Sequence, residues 1–195
     1  MNTSNPLDGE RRAGTVGLPL SGVTVRVVDG SGEEMTTNET GDIQIKGPNV
    51  FSGYWRMPDK SAEDFTEDGF FNTGDKGSID SDGYLSIVGR EKDMIITGGL
   101  NVYPREIELI IDEINGVKES AVVGVADLDF GEAVIAVIVS DGSILDEEKI
   151  ISLCKAQLAN FKIPKRIYFI KDLPRNAMGK IQKNLLRERF KIELD

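Results

Sequence analysis

The chain has 195 residues, of which 39% are hydrophobic and 29% charged, with a formal net charge of −10. That balance is globular rather than disordered. The negative surplus argues against general binding to nucleic acid or to an anionic membrane. The single cysteine, Cys154, rules out an internal disulfide and fits a reducing, cytoplasmic setting. The absence of histidine removes histidine triads, histidine bases and histidine metal ligands. No apolar run is long enough to span a bilayer, and the polar start carries no signal-peptide core. Chemistry must therefore come from Lys, Arg, Asp, Glu, Tyr, hydroxyls or backbone.

Residues 1–15 are polar and rich in Gly, Asn and Ser, and read as a loop. Val23–Val28 alternates with β-branched residues and predicts a strand, closed by the turn chemistry of Asp29-Gly30-Ser31-Gly32. Asp42–Lys46 alternates again, with Ile43 and Ile45 on one face, and Gly47-Pro48 ends it. Residues 50–55 form an aromatic loop whose Tyr54-Trp55 pair is expected to pack against the β part. Phe70-Phe71 leads into Thr73-Gly74-Asp75, and Ile79 to Val88 predicts a hairpin turning at Asp82-Gly83.

Beyond residue 88 the pattern changes. Residues 89–108 pass from a charged cluster through three apolar residues and a Gly-Gly pair to Pro104, which opens an amphipathic run. Gly98 and Gly99 can adopt positive φ, and Pro104 suits a first helical turn, where a missing N–H costs nothing. Ile107, Ile110, Ile111 and Ile114 recur on one helical face. Ser120–Ala126 and Glu132–Ser140 read as strands. Asp146 precedes two glutamates and predicts a helix start, with Ile150, Ile151, Cys154 and Leu158 buried. Arg166–Ile170 predicts another strand, and Asn184–Phe190 a short helix with Leu185, Leu186 and Phe190 inward. The whole reads as α+β: a β-rich part over 1–88, a joint at 89–93, and a small α+β domain over 94–195.

The joint carries a resemblance. Gly89-Arg90-x-Lys92-Asp93, the Gly98-Gly99 pair and Asn101-Val102-Tyr103-Pro104-x-Glu106-Ile107-Glu108 resemble the linker and first C-terminal-domain motif of the adenylate-forming ligases. Thr73-Gly74-Asp75 upstream and Leu173-Pro174-Arg175-Asn176-Ala177-Met178-Gly179-Lys180 downstream fall in the family's order. The opening Met1–Pro6 is similar to the segment after the core motif of malonyl-CoA synthetases. The resemblance implies the last part of an acyl-CoA synthetase: the β-rich end of the large AMP-binding domain, then a small mobile C-terminal domain. It implies ATP, with Mg²⁺ carried on its phosphates, and CoA as co-substrates, a small carboxylate as substrate, and a missing N-terminal portion as partner. No nucleic acid partner and no membrane span are expected.

In that family Lys180 would bridge the substrate carboxylate and the α-phosphate. A desolvated cation there is worth about 3 kcal/mol or more as charge builds on phosphorus oxygens. Read from residues alone, Lys180 is a surface lysine on a flexible loop beside Lys183 and Arg187. Asp75 would hold the ribose hydroxyls, or otherwise close an Asx-turn. Arg90 would contact ribose and phosphate, or form a surface ion pair. Lys92 would bind nucleotide and serve as the hinge about which the C-terminal domain swings between half-reactions, or be an ordinary linker lysine. Gly98-Gly99 would line the pantetheine passage or simply turn a hairpin. Ile96 stands where the family commonly has a polar or basic residue. Asp127, Asp129, Glu132 and Asp141 flank strand ends and are read as solvent-facing acids rather than a metal site. A non-catalytic remnant, or a subunit that docks onto a separate chain, is the alternative of a different class. A luciferase-like or peptide-synthetase fragment is a weaker one.

Overall fold

A computed structural model describes residues 1–191. The chain divides into two compact units, Met1–Lys92 and Asp93–Asp195.

In the first unit, β1 (Thr3–Ser4) pairs with β2 (Leu18–Pro19). A four-stranded antiparallel sheet runs in the order β3 (Thr24–Val28), β4 (Gly41–Lys46), β5 (Phe71–Ile79), β6 (Leu85–Arg90). Alternation puts Val27, Ile43, Ile45 and Leu85 in one small core. The β5–β6 hairpin turns at 80–84, where Asp80 accepts from the amides of Asp82 and Tyr84. Arg12 braces the same turn from the opening loop, ion-pairing with Asp80 and Asp82, each at 2.7 Å.

A short helix that the sequence reading did not anticipate, α1 (Pro58–Asp64), sits between β4 and β5 and buries no residue. Pro58 at its first turn and the Ser61 hydroxyl, which donates to Met57 O and accepts from the Tyr54 amide, explain it locally. Tyr54 packs as expected, its ring against Phe51 and its hydroxyl donating to Asp64 at 2.9 Å. Trp55 does not. It is 84% exposed, and Arg56, at the left-handed φ of 56°, lies over its ring.

In the second unit a 3₁₀ turn (Glu91–Asp93, begun in the first) leads to a hairpin of β7 (Ile95–Thr97) and β8 (Leu100–Val102). Helix α2 (Pro104–Asp112) follows, then β9 (Val117–Asp127), β10 (Gly131–Ser140), α3 (Glu147–Gln157), β11 (Arg166–Ile170) and α4 (Lys183–Arg189). β10 lies between antiparallel β9 and parallel β11, and the β7–β8 hairpin joins it at Gly131–Thr97. Even-numbered Val122, Val134, Ala136 and Ile138 meet α2 and α3 on one face. Odd-numbered Ala121, Val123, Ile135 and Val137 meet Leu186 and Phe190 of α4 on the other. Burial on both faces is why β10 reads as an unbroken apolar run rather than an alternation.

Ile107 and Ile111 of α2 are fully buried, each contributing about 1.5–3 kcal/mol. Asp146 caps α3 by accepting from the amides of Glu148 and Lys149. In α4, Leu186 and Phe190 turn inward, but Leu185 is 41% exposed. It lies one helical step, roughly 100°, off the buried stripe. Among the described residues no helix is long and apolar enough to cross a membrane.

Candidate functional site

Asp75 sits on a bulge. Between the pairs Gln44–Asn72 and Asp42–Lys76, β5 advances four residues while β4 advances two, so Thr73, Gly74 and Asp75 are displayed out of register. Gly74 takes φ 70°, and a Cβ there would meet no atom within 4 Å. Thr73 fixes the bulge by donating to Ile43 O at 2.9 Å and accepting from the Asp75 amide at 3.1 Å. Bulges of this kind re-aim a side chain beside functional sites. Asp75 is directly opposite Arg90 on β6, and Arg90 Nε donates to Asp75 Oδ1 at 3.1 Å. Two residues chosen separately from the sequence are thus brought together on one surface. This pair takes the form of the ion-pair alternative for Arg90. A guanidinium half exposed and held through one nitrogen keeps its remaining donors available to an anion.

Lys92 is exposed in the 3₁₀ turn, at the last position of the first unit. Asp93, the next residue, is tied within the second unit to Arg187 of α4 at 3.1 Å. Gly98 and Gly99, at φ 55° and 79°, form the two-residue turn of β7–β8, both in the left-handed region that such a hairpin demands. The turn is anchored to β10: the Gly98 amide donates to Phe130 O at 2.8 Å, and Glu132 Oε2 accepts from the Ile96 amide at 2.7 Å. Beside it opens a cleft of about 250 Å³ lined by Thr97, Gly98, Leu100, Phe130, Phe161 and Lys165, among others. Phe130 and Phe161 are both substantially exposed, and the Lys165 ammonium lies 4.2 Å from the Phe130 ring centroid.

The segment bearing Lys180 differs from the expected flexible loop. Arg175 and Ile181 form an antiparallel bridge, Asn176 N donates to Lys180 O at 2.9 Å, and Gly179 N donates to Asn176 O at 2.9 Å. Asn176 Oδ1 accepts from the amides of Met178 and Lys180, each at 3.0 Å. Gly179, at φ 78°, completes the turn. Breakers here specify a defined turn, because asparagine satisfies the amides that glycine and the bend would leave open. Lys180 is exposed, and its ammonium has no hydrogen bond or ion pair among the described residues. The neighbouring cations are committed: Lys183 to Glu108 at 2.6 Å, and Arg187 to Asp93.

Of the four strand-end acids, Asp129 is exposed and the other three have structural partners. Asp127 pairs with Lys165 at 2.7 Å, which with the amides of Phe130 and Asp129 holds its carboxyl below the usual carboxylate range. It is only 13% exposed, so the solvent-facing reading was wrong for it: a lysine five residues before the end of β11 closes over it. Glu132 braces the Gly-Gly turn, and Asp141 accepts from Ser143, which lowers its carboxyl. No group of three such residues with metal-holding geometry occurs among the described residues.

Against known families, residues 1–55 match the AMP-binding enzyme model and residues 106–180 match the AMP-binding enzyme C-terminal domain model. The chain belongs to the AMP-binding enzyme family. Over all its length it is 55% identical to ATP-bound MatB from Rhodopseudomonas palustris, covering 39% of that chain with a TM-score of 0.94. An apo structure of MatB matches at the same identity and coverage with a TM-score of 0.78. It is 40% identical to a malonate–CoA ligase of Arabidopsis thaliana over 96% of this chain and 32% of that protein. It is 38% identical to a long-chain-fatty-acid–CoA ligase of Salmonella typhimurium over 98% of this chain and 34% of that one. The chain thus spans about a third of the curated AMP-binding relatives that it matches.

Several site elements of this AMP-binding chain escaped sequence reasoning. Phe130, Phe161 and Lys165 converge on the Gly-Gly turn from three segments, and only the place of Phe130 between Asp129 and Gly131, in a polar connection between two strands, hinted at a surface role. Glu132 was weighed only as a metal ligand.

Proposed function

We propose that the chain forms part of an acid–thiol ligase that joins a small carboxylate, malonate or a close relative, to CoA at the expense of ATP. The carboxylate oxygen attacks the α-phosphorus and pyrophosphate leaves, giving an acyl-adenylate. The CoA thiol then attacks the acyl carbon, AMP leaves with the bonding electron pair, and the thiol proton passes to solvent. Lys180 neutralises the meeting carboxylate and α-phosphate. Asp75 accepts from the ribose hydroxyls, and Arg90 and Lys92 hold ribose and phosphate. Gly98 and Gly99 leave room for the pantetheine arm, and Lys92 is the swivel.

The observation that carries this reading is an exposed, unpaired ammonium on a tightly bonded turn in one unit, with a displayed Asp75–Arg90 pair in the other. The division of the chain after Lys92 supports the swivel. The cleft lined by Phe130 and Phe161 beside Gly98 supports CoA, because an adenine face stacks on exposed rings. Mg²⁺ rides on the ATP phosphates.

The 195-residue chain on its own does not release pyrophosphate from ATP and malonate in this reading. Joined to the upstream part of Rhodopseudomonas palustris MatB, it supports malonyl-CoA formation that Lys180→Ala abolishes. Turnover by the isolated chain, or an Lys180→Ala fusion as active as its parent, would refute the proposal. Phe51, Trp55 and Met57, all exposed, favour the docking alternative to one extent: the first unit leaves three large apolar side chains within seven residues open to covering by further protein, whether upstream in the same polypeptide or on a separate chain.

A further inference from the structure

Lysine has four rotatable bonds, so the placement of its ammonium is only as good as the backbone from which it hangs. The base of the turn is held by the Arg175–Ile181 bridge, by Gln182 N donating to Pro174 O at 2.8 Å and by Ile181 packing against the core, whereas the hydrogen bonds within residues 176–180 hold the shape of the tip but not its attitude. One side chain ties the tip to the sheet. Arg175 Nη1 donates to Gly179 O, the carbonyl of the residue before Lys180, at 2.6 Å. Its other terminal nitrogen, Nη2, donates to and ion-pairs with Glu119 on β9. A single planar guanidinium therefore spans from a strand of the central sheet to the peptide bond that carries the lysine.

We propose that Arg175, held by Glu119, is a positioning residue for Lys180, setting the direction in which that side chain is presented. This rests on the role assigned to Lys180 above. The geometry needs arginine rather than lysine. The fork offers two donors at fixed spacing, one for each anchor, whereas an ammonium on a flexible stem satisfies one at a time. Glu119 is the second necessary part, because without it the guanidinium would move with the turn instead of restraining it.

Two measurements test this, on Arg175→Ala, Arg175→Lys and Glu119→Gln. In the complete 195-residue chain, amide hydrogen exchange at Lys180 should rise at least about tenfold in Arg175→Ala while exchange in β10 stays unchanged. In the MatB fusion, Arg175→Ala should lower kcat of malonate adenylation by about 100-fold, the scale of an ångström's misplacement. KM for ATP should hold, and so should thioester formation from supplied malonyl-adenylate. Arg175→Lys should recover part of the loss, and Glu119→Gln should fall between.

Unchanged exchange at Lys180 overturns the proposal. So does a rise in the KM for ATP alone, which would make Arg175 a direct substrate contact. Equal loss in both half-reactions also overturns it and marks a general structural role. Lys180→Ala in the same fusion separates the two levels. If that variant adenylates normally, the reading of Lys180 itself fails. If it is dead while Arg175→Ala is normal, only the positioning role fails.

Discussion

Replacing Glu108 by alanine removes two partners at once. Its carboxylate, on the buried side of α2 and 9% exposed, accepts from the Val122 amide at 2.9 Å and pairs with Lys183 at 2.6 Å. The Val122 amide belongs to the buried centre of β9, and leaving it unsatisfied costs about 1–3 kcal/mol. Breaking a buried ion pair from one side costs about 3–5 kcal/mol. The Lys183 side chain retains 16% of its exposure and can recover part of its hydration, so the lower ends of both ranges apply. The expected total is about 4 kcal/mol. For a unit of roughly a hundred residues this lowers the melting temperature by about 16 °C or more.

Thermal unfolding of the whole chain, followed by far-ultraviolet circular dichroism, should show that shift in the Asp93–Asp195 unit and leave the other unit's transition in place. Glu108→Gln, which keeps an acceptor for Val122, should cost about half as much. Glu108→Leu combined with Lys183→Met should come back to within about 1 kcal/mol of the parent, because an apolar replacement of both partners leaves no orphaned charge. A loss below about 1 kcal/mol for Glu108→Ala, or a double variant as unstable as the single, would refute this account of how α2 is locked to α4.

In the fusion enzyme, Gly99→Val should slow thioester formation at least about tenfold while adenylation persists, read by quenched-flow of the two steps. A Cβ at Gly99 meets no atom within 4 Å, and the left-handed φ of 79° costs about 1–2 kcal/mol for an L residue and more for β-branched valine. Cys154 lies fully inside the α2–α3 core and its thiol is pushed up by burial, so a thiol reagent at pH 8 should label it only after denaturant is added. Asp127 has a folded-state pKa below its unfolded one, so its contribution is present above about pH 4 and is lost as pH falls through the folded value. Urea unfolding of Asp127→Asn should accordingly show a deficit that is constant at pH 6–8 and narrows below pH 4.

Most of the strands and three of the four helices were legible because their signals are local, whereas β1, inside the segment read as a loop, and β2 are two-residue pieces too short to carry a pattern. The apolar run of β10, the Asp146-Glu-Glu start of α3 and the isoleucine spacing of α2 each lie within a dozen residues. Helix α1 was missed because it buries nothing, so no apolar period marks it, and only Pro58 and Ser61 define it. The motif residues of the site were legible as words, but their setting was not. The bulge that displays Asp75 depends on register with β4, and the Arg175–Glu119, Lys183–Glu108 and Arg187–Asp93 pairs join residues 56, 75 and 94 apart. No periodicity records such partners. Reading the Lys180 segment as a flexible loop failed for the same reason: its breakers were visible, and the bonds that tie them were not.

The central claim is that the Lys180 ammonium acts in adenylation and not in thioester formation. Single-turnover measurement of both steps in the fusion enzyme, parent against Lys180→Ala, tests it most directly. The expected result is a loss of about 100- to 1,000-fold in malonyl-adenylate formation, the scale of one electrostatic donor, with conversion of supplied malonyl-adenylate to malonyl-CoA preserved. Equal losses in the two steps, or none in the first, would contradict it.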